Sequence, residues 1–213
     1  MMMKRKWKPF LAAVLTGAVL IASGCKGKTE SGNDEKGGTS EAVQDDIPQL
    51  EDGTLEGNVF TNRWADFVIT FPDDTEFWSE DDLREQEKQI KESNPSLNVF
   101  KYDFAAVVSG ENIFELTYEG IAKGSTLESY VKETEESLEE AGYAIVDKGS
   151  INLGGSEYSF VRSEMKMVEV SFGYDYYIRQ VDDTYMCLTV FYRMDDGKKI
   201  QDILGTMKPW KKK

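Results

Sequence analysis

Histidine is absent from all 213 residues. That removes the commonest general base, the commonest metal ligand and every serine–histidine or cysteine–histidine pair. Cysteine is nearly absent, with only Cys25 and Cys187, so the ligand set of a zinc site is missing. Cys187 lies in the strand-like run "YMCLTVFY" with no cationic neighbours to lower its pKa, and it reads as a small buried hydrophobe. No Gly-x-Ser-x-Gly elbow occurs, and the glycines of "SGENIF" and "LGGSEY" precede no Gly-Lys-Ser/Thr phosphate loop. Lys and Arg number 25 against 39 Asp and Glu, a formal charge of −14. An acidic surface repels phosphates and excludes nucleic acid as a partner. Long apolar runs are limited to one, at residues 9–21. It is shorter than the about 20 residues a membrane-spanning helix needs.

That run has a context. Lys4, Arg5, Lys6 and Lys8 precede it, and Ala22, Ser23, Gly24 and Cys25 follow. Cations, a short apolar core and small residues before a cut site describe a secretory leader. "LIASGC" resembles a bacterial lipobox, with Ala22 standing where Leu is usual and Ile21 one step earlier. The resemblance implies cleavage between Gly24 and Cys25 and a diacylglycerol thioether on Cys25, with acyl chains such as palmitate. Each buried CH₂ contributes about 0.8 kcal/mol, so two or three chains hold firmly. The competing reading is an ordinary leader followed by a chance cysteine. Loss of the leader's four cations leaves 21 basic against 39 acidic side chains, a charge of −18.

Three segments are expected: a leader over 1–24, the lipidated cysteine and an acidic tether over 25–57, and a globular domain over 58–213. The tether lacks aromatic residues and is rich in Gly, Ser, Thr, Asp and Glu, too polar to offset the entropy of ordering. Within the domain, "NVFTNRWADFVITFP" supplies one or two strands, ended by Pro72. Ser79 caps a polar helix that runs to Asn94. Phe100, Tyr102, Phe104, Ala106 and Val108 alternate onto one strand face, and "IFELTYEG" returns. Leu127, Tyr130, Val131, Thr134, Leu138 and Ala141 form a helical stripe, with Ser125 or Thr126 as cap and Gly142 as stop. A meander follows, turning at Gly154-Gly155 and at Asp182-Asp183. Ile200, Ile203, Leu204 and Met207 mark a last helix before Pro209. The fold class is therefore α+β: one mostly antiparallel twisted sheet with helices packed on its faces.

"NRWADFVITFPDDTEFW", "TLESYVKETEESLEEAGY", "GGSEYSFVRSEMK" and "FYRMDDGKKIQDILGTMKPW", in that order, resemble the PsbP-like family. The resemblance implies an antiparallel sheet sandwiched by helices. The family includes extrinsic photosystem proteins, a Ran-binding protein and bacterial lipoproteins, so the resemblance implies a non-catalytic scaffold or binding module. Its members do unrelated things, and no family site carries over to this chain.

Paired acids abound at Asp73-Asp74, Asp81-Asp82, Asp182-Asp183 and Asp195-Asp196, where turn and cap chemistry accounts for them. Asp73, Asp74 and Glu76 are weak candidates for a divalent cation; otherwise no metal and no cofactor is expected. In "GYDYYIRQ", alternation sets Tyr174 and Tyr176 on the core face and Tyr177 opposite. Three lysines after Trp210 would add little to acyl anchoring of the C-terminus. The expected protein is a lipoprotein held by Cys25 on the extracytoplasmic face of a bacterial cell membrane, binding a protein or envelope component without catalysis. Alternatives are a carboxylate- or metal-dependent hydrolase and a solute-binding accessory lipoprotein.

Overall fold

The computed structural model describes residues 50–210 apart from 96 and 98. The expected leader, the expected cleavage between Gly24 and Cys25 and lipidation of Cys25, most of the expected tether and the last three lysines lie outside the described residues.

Two antiparallel sheets form. The small one comprises β1 (Thr54–Glu56), β2 (Val59–Asn62) and β3 (Phe67–Thr70) in sequential order. The large one has seven strands: β4 (Glu76–Phe77), β5 (Phe100–Val108), β6 (Asn112–Gly120), β7 (Ala144–Leu153), β8 (Ser156–Lys166), β9 (Ser171–Val181) and β10 (Thr184–Arg193). Their order is β4-β5-β6-β10-β9-β8-β7. Three α-helices accompany them: α1 (Glu80–Ser93), α2 (Leu127–Glu140) and α3 (Gly197–Leu204). The α+β class with a dominant antiparallel sheet is thus observed, with helices on both faces. The separate small sheet was not expected. The β3 chain leaves through Phe71 and Pro72 into a turn, so β3 cannot continue into the large sheet.

Local chemistry fixes the element ends. The Ser79 hydroxyl accepts from the Asp82 N–H at the start of α1. Thr126 and Ser129 form a reciprocal capping box at the start of α2. Gly154 and Gly155 take φ of 60° and 84° between β7 and β8, the left-handed pair that a two-residue hairpin turn demands. Asp182, with φ of 48°, turns β9 into β10. The β8–β9 turn at Met167–Val170 was not read from sequence; the Met167 N–H donates to the Val170 carbonyl.

Each face of the large sheet has its own core. On the first face, Phe104, Phe114, Leu116, Leu188, Val190 and Tyr177 meet Phe60, Phe67, Ile69 and Phe71 of the small sheet and Ile200, Ile203 and Leu204 of α3. On the second, Tyr130 and Leu138 of α2 meet Val161, Tyr174, Tyr176, Ile178, Tyr185 and Cys187. Tyr177, opposite Tyr174 and Tyr176, is therefore as buried as they are, because the sheet is covered on both sides.

Two expectations are corrected. First, residues 50–57 belong to the folded body and not to the tether. Leu50 packs against the first core. The Gly53 N–H donates to Asp103 at 2.8 Å, and a Cβ on Gly53 would fall 2.1 Å from the Phe60 ring. Backbone pairing and one close approach order this segment where its composition offers little burial. Second, Phe100 through Val108 do not keep one face. The register shifts between Tyr102 and Phe104, leaving Asp103 as the bulged residue. Tyr102 then pairs with Thr117 on the second face, while Phe104 pairs with Leu116 on the first.

Candidate functional site

The cross-strand register aligns side chains into rows. One row on the second face runs Ala105, Glu115, Thr189, Tyr176 and Val161 across five strands. The neighbouring row is Val107, Ile113, Phe191, Tyr174 and Ser163. Helix α2 packs on β7, β8 and β9, and reaches the middle strands through Tyr130, which lies 4.3 Å from the Tyr185 ring and hydrogen-bonds Glu119 at 2.6 Å. Helix α1 lies alongside β5, where the Glu87 carboxylate accepts from the Tyr102 N–H at 2.8 Å. On this face Val107, Phe172 and Phe191 remain half-buried, and the Phe172 and Phe191 rings stack at 5.2 Å.

Glu115 lies in this strip. It is 7% exposed. One carboxyl oxygen is 3.4 Å from the Thr189 hydroxyl, and the other, Oε1, has no hydrogen-bond partner. Burial pushes its pKa up from 4.5 to about 7, with the Thr189 bond opposing. The groups that feel its charge are Tyr102, Tyr174 and Cys187, all raised chiefly by burial and none cationic. A carboxyl of this kind takes up a proton near neutrality.

Three other acids, Asp175 buried and Glu119 and Asp103 half-buried, are satisfied. Glu119 is raised by burial and holds the Tyr130 hydroxyl. On the first face Asp175 is pushed up to about 6 by burial, opposed by Arg162, whose Nε lies 3.5 Å away. Tyr177 and Tyr192 donate to it at 3.3 and 3.4 Å. The bulged Asp103 accepts from Asn62 at 2.6 Å, Tyr118 at 3.3 Å and Gly53, tying three strands to the chain's entry. These two clusters are structural knots within the first core.

Asp73 accepts from the Asn58 side chain at 2.9 Å, whereas Asp74 accepts from Ser109 at 3.3 Å. Glu76 begins β4 opposite Val107. The three weak metal candidates thus face different partners, and no group of three His, Cys, Asp or Glu converges as a metal site among the described residues. Asp82 serves the α1 cap. Asp182 accepts from the Trp64 indole at 2.8 Å, and Asp195 lies 3.7 Å from Arg193. Cys187 is buried at 4% exposure with its thiol pKa pushed well up. Sequence reading passed over Glu115 because "IFELTYEG" alternates, and an acid between Phe114 and Leu116 reads as facing water.

No family model and no curated protein matches the chain. Among solved structures it is similar to cyanobacterial PsbP of Synechocystis sp. PCC 6803, at 7% identity and a TM-score of 0.47, covering 73% of this chain and 95% of that one. It is also similar to LpqN, involved in cell envelope biogenesis of Mycobacterium tuberculosis, at 10% identity and 0.41, covering 67% and 82%. A Bacteroides thetaiotaomicron VPI-5482 protein matches at 8% identity and 0.42 over 74% of this chain. The chain spans 50% of that protein's length. These likenesses concern fold alone.

Proposed function

We propose that this chain is a lipid-anchored extracytoplasmic module that binds a protein or envelope component without catalysis. No helix among the described residues is long and apolar enough to cross a membrane. The anchor is the acylated Cys25, which follows the leader in register.

The observation that carries the binding reading is the isolation of Glu115. The next acid on its face of β6 is Glu119, four residues along, and among the described residues the hydrogen bond that Glu115 makes is with the Thr189 hydroxyl. At 3.2–3.4 Å per residue these two lie about 13 Å apart. Two-acid hydrolysis of a glycoside needs about 5–10 Å. Glu119 is moreover held by Tyr130.

Cys25→Ala is expected to abolish labelling by a fatty-acid analogue and to release the chain into the soluble fraction. Membrane retention without acylation would overturn the anchor. Crosslinking in intact cells is expected to give a discrete adduct, and substrate turnover lost on changing a single acid would overturn the non-catalytic reading.

A further inference from the structure

We propose that α1 is a strap that lets go of the large sheet and melts while both cores stay folded, baring the outer edge of β5. This goes beyond the proposed function and holds whatever the folded body binds.

Local chemistry builds α1. Ser79 caps it, Glu80, Asp81 and Asp82 fill its first turn, and Lys91 stands in its last. The pairs Glu80–Arg84 and Lys88–Glu92 each span one turn at 3.7 Å between exposed side chains. Tertiary packing adds little. None of the 14 residues is buried. Leu83, Gln86, Glu87 and Ile90 are half-buried along one face, and Leu83 and Ile90 belong to neither core. By contrast α2 buries Tyr130, Thr134 and Leu138, and α3 buries Ile200, Ile203 and Leu204. Among the described residues, the hydrogen bond that joins α1 to the sheet runs from the Tyr102 N–H to the Glu87 carboxylate at 2.8 Å. Segments with few buried apolar contacts open first. A short helix without tertiary support is marginal in water, so release and melting go together.

The ends of the strap stay fixed. Ahead of α1 the Trp78 N–H donates to the Ala105 carbonyl at 2.9 Å. Behind it Asn94 is buried, and the Gly120 N–H donates to the Val99 carbonyl at 3.0 Å. Opening is therefore confined to the helix itself, between Ser79 and Asn94. The sheet defines what is uncovered. Strand β4 pairs with β5 only at Ala106 and Val107. On that side Phe100 to Phe104 have no strand, and α1 lies there instead. Covering an edge with a helix keeps its free N–H and C=O groups from pairing with another chain. A strap that opens exposes those groups without unfolding the body.

Residue-resolved amide hydrogen exchange of the full chain tests this. Amides at 84–93 of α1 are expected to be protected at least about tenfold less than those at 131–140 of α2, and to respond less to low urea, because a local opening exposes little surface. The Tyr102 amide is expected to exchange with α1, and the Leu188 amide of the central strand β10 to exchange far more slowly. Glu87→Ala removes the acceptor and keeps a strong helix former, so it should speed exchange in α1 about tenfold and in α2 less than about twofold. Equal protection and equal urea dependence in α1 and α2 would overturn the strap. So would a Glu87→Ala chain in which both helices speed up alike, since α1 would then open only when the whole body unfolds. Fast exchange in α1 with Tyr102 as slow as Leu188 would overturn the baring of the β5 edge.

Discussion

Glu115→Gln should change how stability depends on pH, in a direction opposite to the usual carboxylate. In the folded chain burial holds the Glu115 proton up to about pH 7, whereas the ordinary value is 4.5. Between those values the folded state binds a proton that the unfolded state has lost. Stability contributed by this group is therefore greatest below pH 4.5, declines as pH rises toward 7, and stays low above it. At about 1.4 kcal/mol per pH unit, the interval corresponds to roughly 3 kcal/mol. Glutamine has the same shape and no charge to bury, so its contribution is flat. The variant should gain on the wild type by roughly 3 kcal/mol between pH 4.5 and 8, offset at every pH by a constant cost of about 1–3 kcal/mol for its unpaired amide. Asp175, raised by burial to about 6, has the same sign, but it is present in both chains and cancels from the difference. Urea unfolding followed by the fluorescence of Trp64, Trp78 and Trp210, repeated from pH 4.5 to 8.5, measures the difference directly. A wild-type-minus-variant difference constant to within about 0.5 kcal/mol over that range would refute the burial argument.

Three further outcomes are expected. A Cβ at Gly173 would lie 2.4 Å from the Tyr192 ring, so Gly173→Ala should destabilise by about 1–3 kcal/mol in thermal melts, while Gly197→Ala, 3.7 Å from the same ring, should be neutral or stabilising. Thr126→Ala removes the α2 capping box and should lower unfolding free energy by about 1 kcal/mol in urea titrations, without altering near-ultraviolet circular dichroism of the first core. A chain starting at residue 58 loses the Gly53 donor to Asp103 and the β1 pairing. It should be at least about 1 kcal/mol less stable than one starting at residue 50, and equal denaturation midpoints would return 50–57 to the tether.

Much of the fold was legible because local chemistry decides it. The α2 stripe buries Tyr130, Thr134 and Leu138, and the α3 stripe buries Ile200, Ile203 and Leu204, as a 3.6-residue period requires. Gly154-Gly155 turns because only residues free of a Cβ take two successive positive φ values cheaply. The site was not legible. Alternation says that Glu115, Thr117 and Glu119 share a face; it does not say whether that face meets water. Tyr130, distant in sequence, lies over Glu119, and Tyr102 turns to that face only because Asp103 bulges.

The sequence alone determined the acidic excess, the missing histidine chemistry, the helix stripes and caps, and most turns, the last three because each depends on neighbours within a few residues. Tertiary structure decided that residues 50–57 fold, that the first three strands form their own sheet, and that one glutamate is buried with one oxygen unpaired. Burial and pairing are properties of what other segments cover, and a carboxyl's pKa follows the water they remove.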